Sequence, residues 1–372
     1  MKVLHIIPSL IKGGAERITL DICSQLQQYE KHEVKLVYFR DINNYEAISN
    51  QLDVSLIDLS FKLSLKGKST GNVIPLQALI DNFEPDVIHS HLFESEIMLS
   101  QIKYSKAKYI VHFHDNMHQF RKWKGGLSKK QLTNWYERKT VLSTYKKKNV
   151  SFIGISKDTM EYIQANISKH FPTCFLLNAI DLERFRVKDN IARDEFRLVM
   201  VGSLVNKKNQ QLAIRIVKYL NDKGYPFTLD ILGDGPNKND LTQLVNELHL
   251  GKSVFLRGNV DQPEEFLHRS GIYLHTATYE PFGLVLIEAM AAEIPVICTD
   301  GKGNRDVILH GENGLMDTTF EVENIANLIL KLHEDASLKN RIVQNALAFS
   351  NDYDIKIYVE KLLEIYREDK KA

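Results

Sequence analysis

Two glutamates, Glu280 and Glu288, flank a turn in the segment HTATYEPFGLVLIEAMAAEIP, which begins at His275. A strand is predicted to end near His275 and a helix to begin near Leu284. Gly283 lets the backbone come close to a ligand, and the free amides at the start of a helix attract a phosphate. Carboxylates beside such an anion need neutral hydrogen-bond donors, and sugar hydroxyls are suitable. The structural alternative is an acidic first turn that complements the helix dipole.

Two other loops that follow predicted strands carry residues suited to ligand binding. Lys207 and Lys208 lie in the loop over residues 202–209. A lysine near a helix N-terminus opposes the helix dipole, which favours a bound anion there, whereas a solvated turn is the structural alternative. Gly13 and Gly14 lie between the first predicted strand and a helix, where a plain turn explains the glycines as well as a ligand loop does.

Histidines alternate at the ends of two predicted strands, His89 with His91 and His112 with His114. Alternate residues of a strand share a face. Zinc binding is one interpretation, but no carboxylate or cysteine completes a convincing ligand set. The alternatives are strand-end histidines that bond the backbone, or a polar cluster at a ligand-binding edge. In the last case His114 is the candidate, with Asp115 as its orienting partner.

Residues 103–148 hold 13 lysines and arginines against two acidic residues, so the segment carries +11 and the remaining chain −10, from 35 basic and 45 acidic residues. Both tryptophans, Trp123 and Trp135, fall inside it. A solvated helix face is the plain explanation. Basic residues interleaved with aromatic ones also suit an anionic membrane surface or nucleic acid, but no nucleic-acid-binding motif is present. We therefore predict a membrane surface as the partner, and no nucleic acid.

The elements that position these residues alternate between β-branched runs and amphipathic stretches. Such alternation predicts an α/β protein with parallel sheets covered by helices. The chain of 372 residues suits two domains, and the pattern restarts after Arg186. We predict an N-terminal domain over 1–188, a C-terminal domain over 189–350 and a tail helix over 351–372 that packs back on the first domain. The predicted strands span 3–7, 34–39, 86–90, 109–113, 152–155, 196–201, 227–232, 254–256, 272–275 and 296–299.

The three cysteines are far apart and lack metal-ligand spacing, which predicts a reducing compartment. The first apolar run is too short for a signal-peptide core, and no stretch approaches the ~18–20 apolar residues of a spanning helix. A cytoplasmic protein, peripheral at most on the cytoplasmic face of a membrane, is the expectation.

The segment from Glu280 to Glu288 resembles the Glu-x7-Glu motif of glycosyltransferase family 4, a retaining group with the GT-B fold. Further segments resemble the family in the same order along nearly the whole chain: GGAER at 13–17, DVIHSH at 86–91, VHFHD at 111–115, VGSLVNKKN at 201–209, GDGP at 233–236, FLRG at 255–258 and NGL at 313–315. The resemblance implies two Rossmann-like domains that face each other across a cleft, with the donor site in the C-terminal half.

The family's residue roles carry over by position. Glu280 is expected to contact the donor sugar and Glu288 the ribose, while Lys208 neutralises the diphosphate and His114 lies near the transferred sugar. Ser203 departs from the family, where many members carry an arginine. The implied catalytic residues are His114, Lys208 and Glu280. The implied donor-binding residues are Gly13, Gly14, Gly202, Ser203, Lys208, Arg257, Glu280, Phe282, Gly283, Leu284 and Glu288.

The resemblance implies transfer of a sugar, with retained configuration, from a nucleotide-sugar donor, expected to be UDP-linked. The acceptor would be a glycan or a lipid-linked carrier in cell-surface polysaccharide or glycoconjugate synthesis. We expect neither a cofactor nor a metal. The one Asp-x-Asp in the sequence, Asp352-Tyr353-Asp354, lies at the start of the predicted tail helix and not in a strand-end loop. Two alternatives remain open: a non-catalytic module that docks on membrane or nucleic acid, and a sugar-nucleotide epimerase.

Overall fold

The computed structural model describes residues 1–29, 31–63, 70–123, 125, 128–167, 169–187 and 191–368. The chain divides into two compact units. Unit 1 contains Met1–Asn178 and Ile355–Ala372, and unit 2 contains Ala179–Asp354. The division lies before Ala179 and not after residue 188, and residues 188–190 lie outside the described part of the chain.

The strands are β1 (Lys2–Ile7), β2 (Glu33–Tyr38), β3 (Val54–Leu56), β4 (Ser60–Lys62), β5 (Thr70–Asn72), β6 (Val87–His91), β7 (Lys108–Phe113), β8 (Asn149–Gly154), β9 (Thr173–Phe175), β10 (Asp194–Val201), β11 (Thr228–Leu232), β12 (Val254–Gly258), β13 (Ser270–His275), β14 (Val296–Thr299) and β15 (Leu315–Asp317).

The α-helices are α1 (Gly14–Gln27), α2 (Glu46–Ser49), α3 (Ile74–Phe83), α4 (Phe93–Leu99), α5 (Lys129–Tyr145), α6 (Lys157–Asn166), α7 (Leu182–Phe185), α8 (Gln210–Asp222), α9 (Lys238–Glu247), α10 (Pro263–Arg269), α11 (Leu284–Ala291), α12 (Val322–Glu334), α13 (Ala336–Ser350) and α14 (Ile355–Arg367). Short 3-10 helices cover His118–Phe120, Asn206–Lys208, Gly303–Asp306 and Asn351–Tyr353.

The sheet of unit 1 has the strand order β3-β2-β1-β6-β7-β8-β9, and all its pairings are parallel. The order reverses between β1 and β6. In open α/β sheets the crevice beyond the carboxyl ends of the strands at such a reversal is where ligands bind. A separate antiparallel pair, β4 with β5, lies outside this sheet.

The sheet of unit 2 has the order β12-β11-β10-β13-β14-β15, again parallel throughout. Here the order reverses between β10 and β13. Both units are therefore Rossmann-like, and the predicted α/β class with parallel sheets is confirmed.

Apolar side chains bury both faces of each sheet, as parallel strands between helices require. The core of unit 1 includes Ile6, Val111 and Phe152, and that of unit 2 includes Met200 and Leu274. All ten predicted strands are present. The five missed strands have three residues each, too few for hydrophobic periodicity to reveal.

The tail helix α14 belongs to unit 1, where it packs against α1. Its buried side carries Val359, Leu362, Leu363 and Tyr366, whereas Ile357 is 37% exposed. No helix in the described part of the chain is long and apolar enough to cross a membrane.

Candidate active site

The Glu-x7-Glu segment lies at the carboxyl end of β13, where the strand order of unit 2 reverses. Gly283 caps the N-terminus of α11 with φ 98°, a left-handed conformation that favours glycine. A Cβ atom at this position would lie 2.9 Å from the Leu286 side chain. The turn is therefore built for a glycine. The Leu286 N–H donates to the Gly283 carbonyl over 2.9 Å, and the two amides that precede it in α11 come too early in the helix for an intrahelical acceptor.

The loop after β10 is fastened to the segment after β13. The Thr278 backbone N–H donates to the Lys207 carbonyl over 2.8 Å. The Thr276 hydroxyl donates to the Asn209 carbonyl over 2.9 Å. Two sites that the sequence separates by about seventy residues are thereby held at one edge of the sheet.

These contacts bring two predicted site residues together. The Lys208 ammonium donates a short hydrogen bond to Oε2 of Glu280, and the side chains are only 15% and 10% exposed. Burial alone would raise the pKa of Glu280, but the charge of Lys208 and the contact with His275 outweigh it and hold that pKa well below its usual range. Glu280 is therefore a carboxylate at every physiological pH.

His275 is the third member of this group, and sequence reasoning did not select it. Its Nε2 lies 3.2 Å from Oε2 of Glu280. Burial lowers the pKa of His275, and the carboxylate of Glu280 offsets only part of that effect, so the ring is neutral at pH 7. The signal in the sequence was a histidine that ends a buried strand five residues before the motif glutamate.

A second loop, after β14, supports the backbone of Glu280. The Glu280 N–H donates to the Gly301 carbonyl over 2.8 Å, and the Gly303 N–H donates to the Glu280 carbonyl over 3.0 Å. A Cβ atom at Gly303 would lie 2.3 Å from the Pro281 carbonyl oxygen. Close backbone packing thus fixes the turn that carries the carboxylate.

The other residues of the motif divide between packing and the site edge. Phe282 is 2% exposed and its ring lies 6.0 Å from that of Tyr353, so its side chain anchors the turn. Glu288 and Leu284 are partly exposed on α11. Burial, and then the carboxylate of Glu288, raise the pKa of Tyr273 on β13 well above its usual range.

In the loop over residues 202–209, which is predicted to bind the diphosphate, a side chain passes close to a glycine. The Lys208 side chain passes over Gly202, where an added Cβ atom would lie 3.5 Å from its Cε. The Ser203 carbonyl accepts from the Gln210 amide over 2.9 Å. Arg257 donates through Nε to the buried Asp230 over 2.6 Å, so this part of its guanidinium stabilises the sheet. The donor-binding roles of Ser203 and Arg257 stay predictions.

In unit 1, Gly13 and Gly14 begin helix α1. A Cβ atom at Gly13 would lie 2.4 Å from the Glu16 carboxylate, and the Tyr45 hydroxyl donates to the Gly13 carbonyl over 3.2 Å. Burial raises the pKa of Glu16 to about 7. The close packing of Glu16 against Gly13 is enough to explain the glycine. A ligand-binding role for this loop therefore remains a prediction.

His114 follows β7 and is 7% exposed. Its Nε2 is 2.8 Å from Nδ1 of His91, and burial lowers its pKa to about 3. Among the described residues its Nδ1 has no hydrogen-bond partner, while the Asp115 carboxylate accepts from the Asn116 backbone N–H over 2.6 Å. The orienting partner is therefore His91 and not Asp115, because the shared face of two adjacent strands brings the rings together.

The model for glycosyltransferase family 4 matches residues 12–184, and the model for glycosyl transferases group 1 matches residues 181–349. The described architecture agrees with a solved structure of Anabaena HepE in complex with UDP and glucose. The two chains have 20% sequence identity and a TM-score of 0.80 over 98% of this chain and 99% of that one. At this identity the likeness establishes the fold.

Two curated relatives show the range of matches. The first is a Campylobacter jejuni N-acetylgalactosaminyltransferase, named for an N-acetylgalactosamine-N,N'-diacetylbacillosaminyl-diphospho-undecaprenol acceptor. It is 34% identical over 205 residues, which are 52% of this chain and 54% of the relative. This match spans about half the relative's length. The second, the capsular polysaccharide biosynthesis glycosyltransferase CapH of Staphylococcus aureus, is 24% identical over 98% of both chains.

The two family models meet near the division between the units and together span residues 12–349. The resemblance first seen around Glu280 and Glu288 is confirmed, and the chain belongs to the glycosyltransferases of group 1 and family 4.

Proposed function

We propose that this protein transfers a sugar from a nucleoside-diphosphate donor to a glycan or a lipid-linked acceptor, with retained anomeric configuration, in the synthesis of a cell-surface polysaccharide or glycoconjugate. The observation that carries the proposal is the buried Lys208–Glu280 pair beside the N-terminus of α11. Such a pair offers a cation for a diphosphate and a carboxylate for sugar hydroxyls within one site. The UDP and glucose bound to Anabaena HepE support a UDP-linked donor.

The charge state of Glu280 supports its proposed role. An ionised carboxylate is an acceptor only, so it can bind the hydroxyls of a sugar but not an anionic phosphate. Its neighbour His275 is neutral at pH 7 and adds no second positive charge. Glu280 is thus suited to orient the donor sugar, and Glu288 on helix α11 is suited to the ribose hydroxyls.

The diphosphate would lie against the positive elements of the site. The first amides of α11 carry the positive end of the helix dipole, and Lys208 pairs with Glu280 in the segment that leads into that turn. Charge that develops on the departing diphosphate would be stabilised by groups already in position. In this mechanism the leaving oxygen takes the acceptor proton on the same face of the sugar, and no metal ion is needed.

The acceptor side of the proposal concerns the basic segment 103–148 of unit 1. Helix α5 begins at Lys129, and its first ten residues are exposed or only partly buried. The Trp123 ring, 47% exposed, lies 6.2 Å from the Trp135 ring. Aromatic and basic side chains on one exposed helix suit the interface of an anionic membrane, where a lipid-linked acceptor would be found.

The same segment also contains basic residues that face inward. Lys148 is buried and donates to the carbonyls of Leu99 and Ile102. Arg138 donates to the carbonyls of Phe120 and Asn166. The proposed membrane surface is therefore narrower than the whole segment, and we assign it to the exposed lysines around Trp123 and the start of α5. Lys124 lies outside the described residues.

A screen of sugar nucleotides tests the function. We expect one donor to be bound and slowly hydrolysed, and its sugar to be transferred when an acceptor extract is supplied. The variant Lys208→Met keeps the aliphatic side chain and removes the charge, so turnover should fall about 10²–10³-fold, as for other lost transition-state donors. Lys238→Met is the matched control, because that lysine pairs with Asp234 on the exposed surface.

Three outcomes discriminate between the alternatives. Donor binding without product, unaffected by Lys208→Met, would support a non-catalytic module. An isomerised sugar nucleotide without an acceptor product would indicate an epimerase. An inverted anomeric linkage, read by NMR of the product, would overturn the retaining mechanism. Turnover should also survive EDTA; a loss that magnesium or manganese restores would contradict metal independence.

A further inference from the structure

Five histidines of unit 1 form one buried cluster. The rings belong to His5, His89, His91, His112 and His114, and each is at most 7% exposed. The sheet register explains how they meet: β1 and β6 place His5 opposite His89, and β6 and β7 place His91 opposite His112. Because alternate residues share a face of a sheet, all five project from one face.

The rings of His5, His91 and His114 form one hydrogen-bonded chain. His5 Nδ1 lies 3.0 Å from His91 Nε2, and His91 Nδ1 lies 2.8 Å from His114 Nε2. His91 therefore uses both of its nitrogens inside the cluster. The tautomers of the three rings are linked, since each N–H donated to a neighbour decides which nitrogen of that neighbour is the acceptor.

A second chain runs to the tail helix. His112 Nδ1 lies 3.2 Å from His89 Nε2, and His89 Nδ1 lies 2.6 Å from the Tyr366 hydroxyl. Tyr366 is itself 4% exposed. Helix α14 thus fixes the orientation of one imidazole and, through it, that of a second.

Both chains end in nitrogens that have no partner. A neutral imidazole has one N–H and one lone pair, so a chain of rings leaves an unpaired nitrogen at its ends. His5 Nε2, His112 Nε2 and His114 Nδ1 are buried without a hydrogen bond among the described residues. Because buried polar atoms are nearly always paired, unpaired nitrogens that belong to one cluster indicate a ligand that accepts lone pairs.

We propose that His91, His112 and His114 bind one transition-metal ion of the zinc class. One nitrogen from each of these rings lies within 4.8 Å of the other two. Ligand nitrogens around a tetrahedral zinc ion are ~3.3 Å apart, given bonds of about 2.0–2.1 Å, so small ring rotations bring these atoms to the required spacing. A set made only of imidazoles selects zinc, cobalt or nickel over magnesium or calcium, which prefer oxygen.

The contacts of His5 and His89 with the proposed ligands favour this set over the second candidate set, which is His5 with His89 and His91. His91 can bind through Nδ1, where the ion would replace its contact with His114, and keep its Nε2 contact with His5. His112 can bind through its unpaired Nε2 and keep its contact with His89. Ligating histidines usually bond a second-shell group through the other nitrogen. The set also lies at the carboxyl ends of β6 and β7, where α/β sheets bind ligands.

The absence of a cysteine or carboxylate near the paired strand histidines argued against zinc from sequence, but β1 and the tail helix supply the second shell instead. The proposal does not depend on the sugar transfer proposed for unit 2. A three-histidine ion keeps an open position for water. It would belong to unit 1 and take no part in the transfer proposed for the Lys208–Glu280 pair of unit 2.

Cobalt titration of the full chain tests the proposal. After removal of metals with a chelator, Co²⁺ should bind with a stoichiometry of one per chain and give a visible d–d absorption band, which one equivalent of Zn²⁺ should abolish. Mg²⁺ should leave the band unchanged. Because this experiment uses the unmodified protein, it remains decisive even if cluster variants fail to fold. Absence of the band at millimolar Co²⁺ would overturn the site.

Variants locate the ion. His112→Ala should abolish the band, and His5→Gln should weaken Co²⁺ binding on the order of 10–100-fold, as the loss of a second-shell partner does. His170→Ala is the matched control, because His170 is exposed and lies outside the cluster. Folding of each variant is checked by circular dichroism. A folded His112→Ala protein that binds Co²⁺ like the wild type would also contradict the assignment.

Discussion

Both parallel sheets bury titratable side chains near the carboxyl ends of their central strands, but the two units bury them in different charge states. Unit 1 holds imidazoles whose pKa values burial lowers below the ordinary range, together with Glu96, whose pKa burial raises to about 7. Unit 2 holds Glu280 as a carboxylate against the charge of Lys208.

The difference lies in the partner that each group has. A buried charge is stable only when an opposite charge and hydrogen bonds compensate for lost hydration. Glu280 has such a partner, so it stays ionised. The imidazoles of unit 1 have mainly each other, and a protonated ring would repel its neighbours. Similar positions in two Rossmann-like sheets thus suit different proposed chemistry: anion and sugar binding in unit 2, and lone-pair donation to a metal ion in unit 1.

Removal of the compensating charge in unit 2 should have the largest effect on stability. Lys208→Met leaves Glu280 buried without its cation, and breaking a buried pair costs about 3–5 kcal/mol. The free energy of unfolding is measured by denaturant titration at pH 7. Lys238→Met removes a lysine from an exposed pair and should cost at most about 1 kcal/mol. Equal losses of stability in the two variants would show that the buried pair stabilises the protein no more than the exposed pair does.

In unit 1, a pH-dependent contribution to stability is expected from Glu96, which accepts a hydrogen bond from the Tyr145 hydroxyl. Its folded pKa of about 7 lies above the ordinary value of 4.5, so the folded state retains the proton longer. The contribution of Glu96 to the free energy of unfolding is then largest below pH 4.5 and falls as pH rises to about 7, by up to ~3 kcal/mol at about 1.36 kcal/mol per unit.

The variant Glu96→Gln removes this titration and should flatten that part of the stability curve between pH 5 and 8. Glu94→Gln is the control on the same helix, because its side chain is 47% exposed and pairs with Arg40. Thermal unfolding across the pH range gives the comparison. The stability of the variant is subtracted from that of the wild type at each pH. A difference that does not fall between pH 5 and 7 would contradict a neutral Glu96 in the folded protein.

A smaller effect is expected at the nucleotide site proposed for unit 2. Glu288→Ala should weaken affinity for the nucleoside diphosphate by about 1–3 kcal/mol, the contribution of hydrogen bonds to a charged group. Calorimetric titration of UDP and of the free phosphate distinguishes ribose from phosphate contacts, because only UDP binding should weaken. Glu247→Ala, on an exposed part of α9, is the control. Unchanged UDP affinity would remove Glu288 from the ribose site.

The smallest effects per residue are expected at the proposed membrane surface of unit 1. Lys122, Lys129 and Lys130 are exposed, and each basic residue near an anionic bilayer contributes about 1 kcal/mol. Their change to glutamate should reduce co-sedimentation with anionic liposomes, and added salt should do the same to the wild type. The control carries glutamate at exposed lysines of unit 2: Lys223, Lys252 and Lys331. Equal binding to neutral and anionic liposomes would exclude this partner.

Local pattern determined much of the architecture from sequence. Buried β-branched runs separated by amphipathic stretches predicted ten strands and the two-unit α/β class, because hydrophobic periodicity is a local property of the chain. The spacing of Glu280 and Glu288, with Gly283 between them, predicted both the family and the start of α11, since the left-handed φ of the glycine and the helix that follows are set within a few residues.

Tertiary structure alone decided which side chains meet. Lys208 reaches Glu280 only because the parallel strands β10 and β13, from distant segments, end at one edge of the sheet. Likewise, His5 joins the imidazole cluster through the register of β1 with β6, and Tyr366 bonds a histidine 277 positions earlier in the chain. Periodicity predicts that a strand exists and which face is buried, but register and crossover order depend on contacts between elements, and these determine the partners and therefore the charge states.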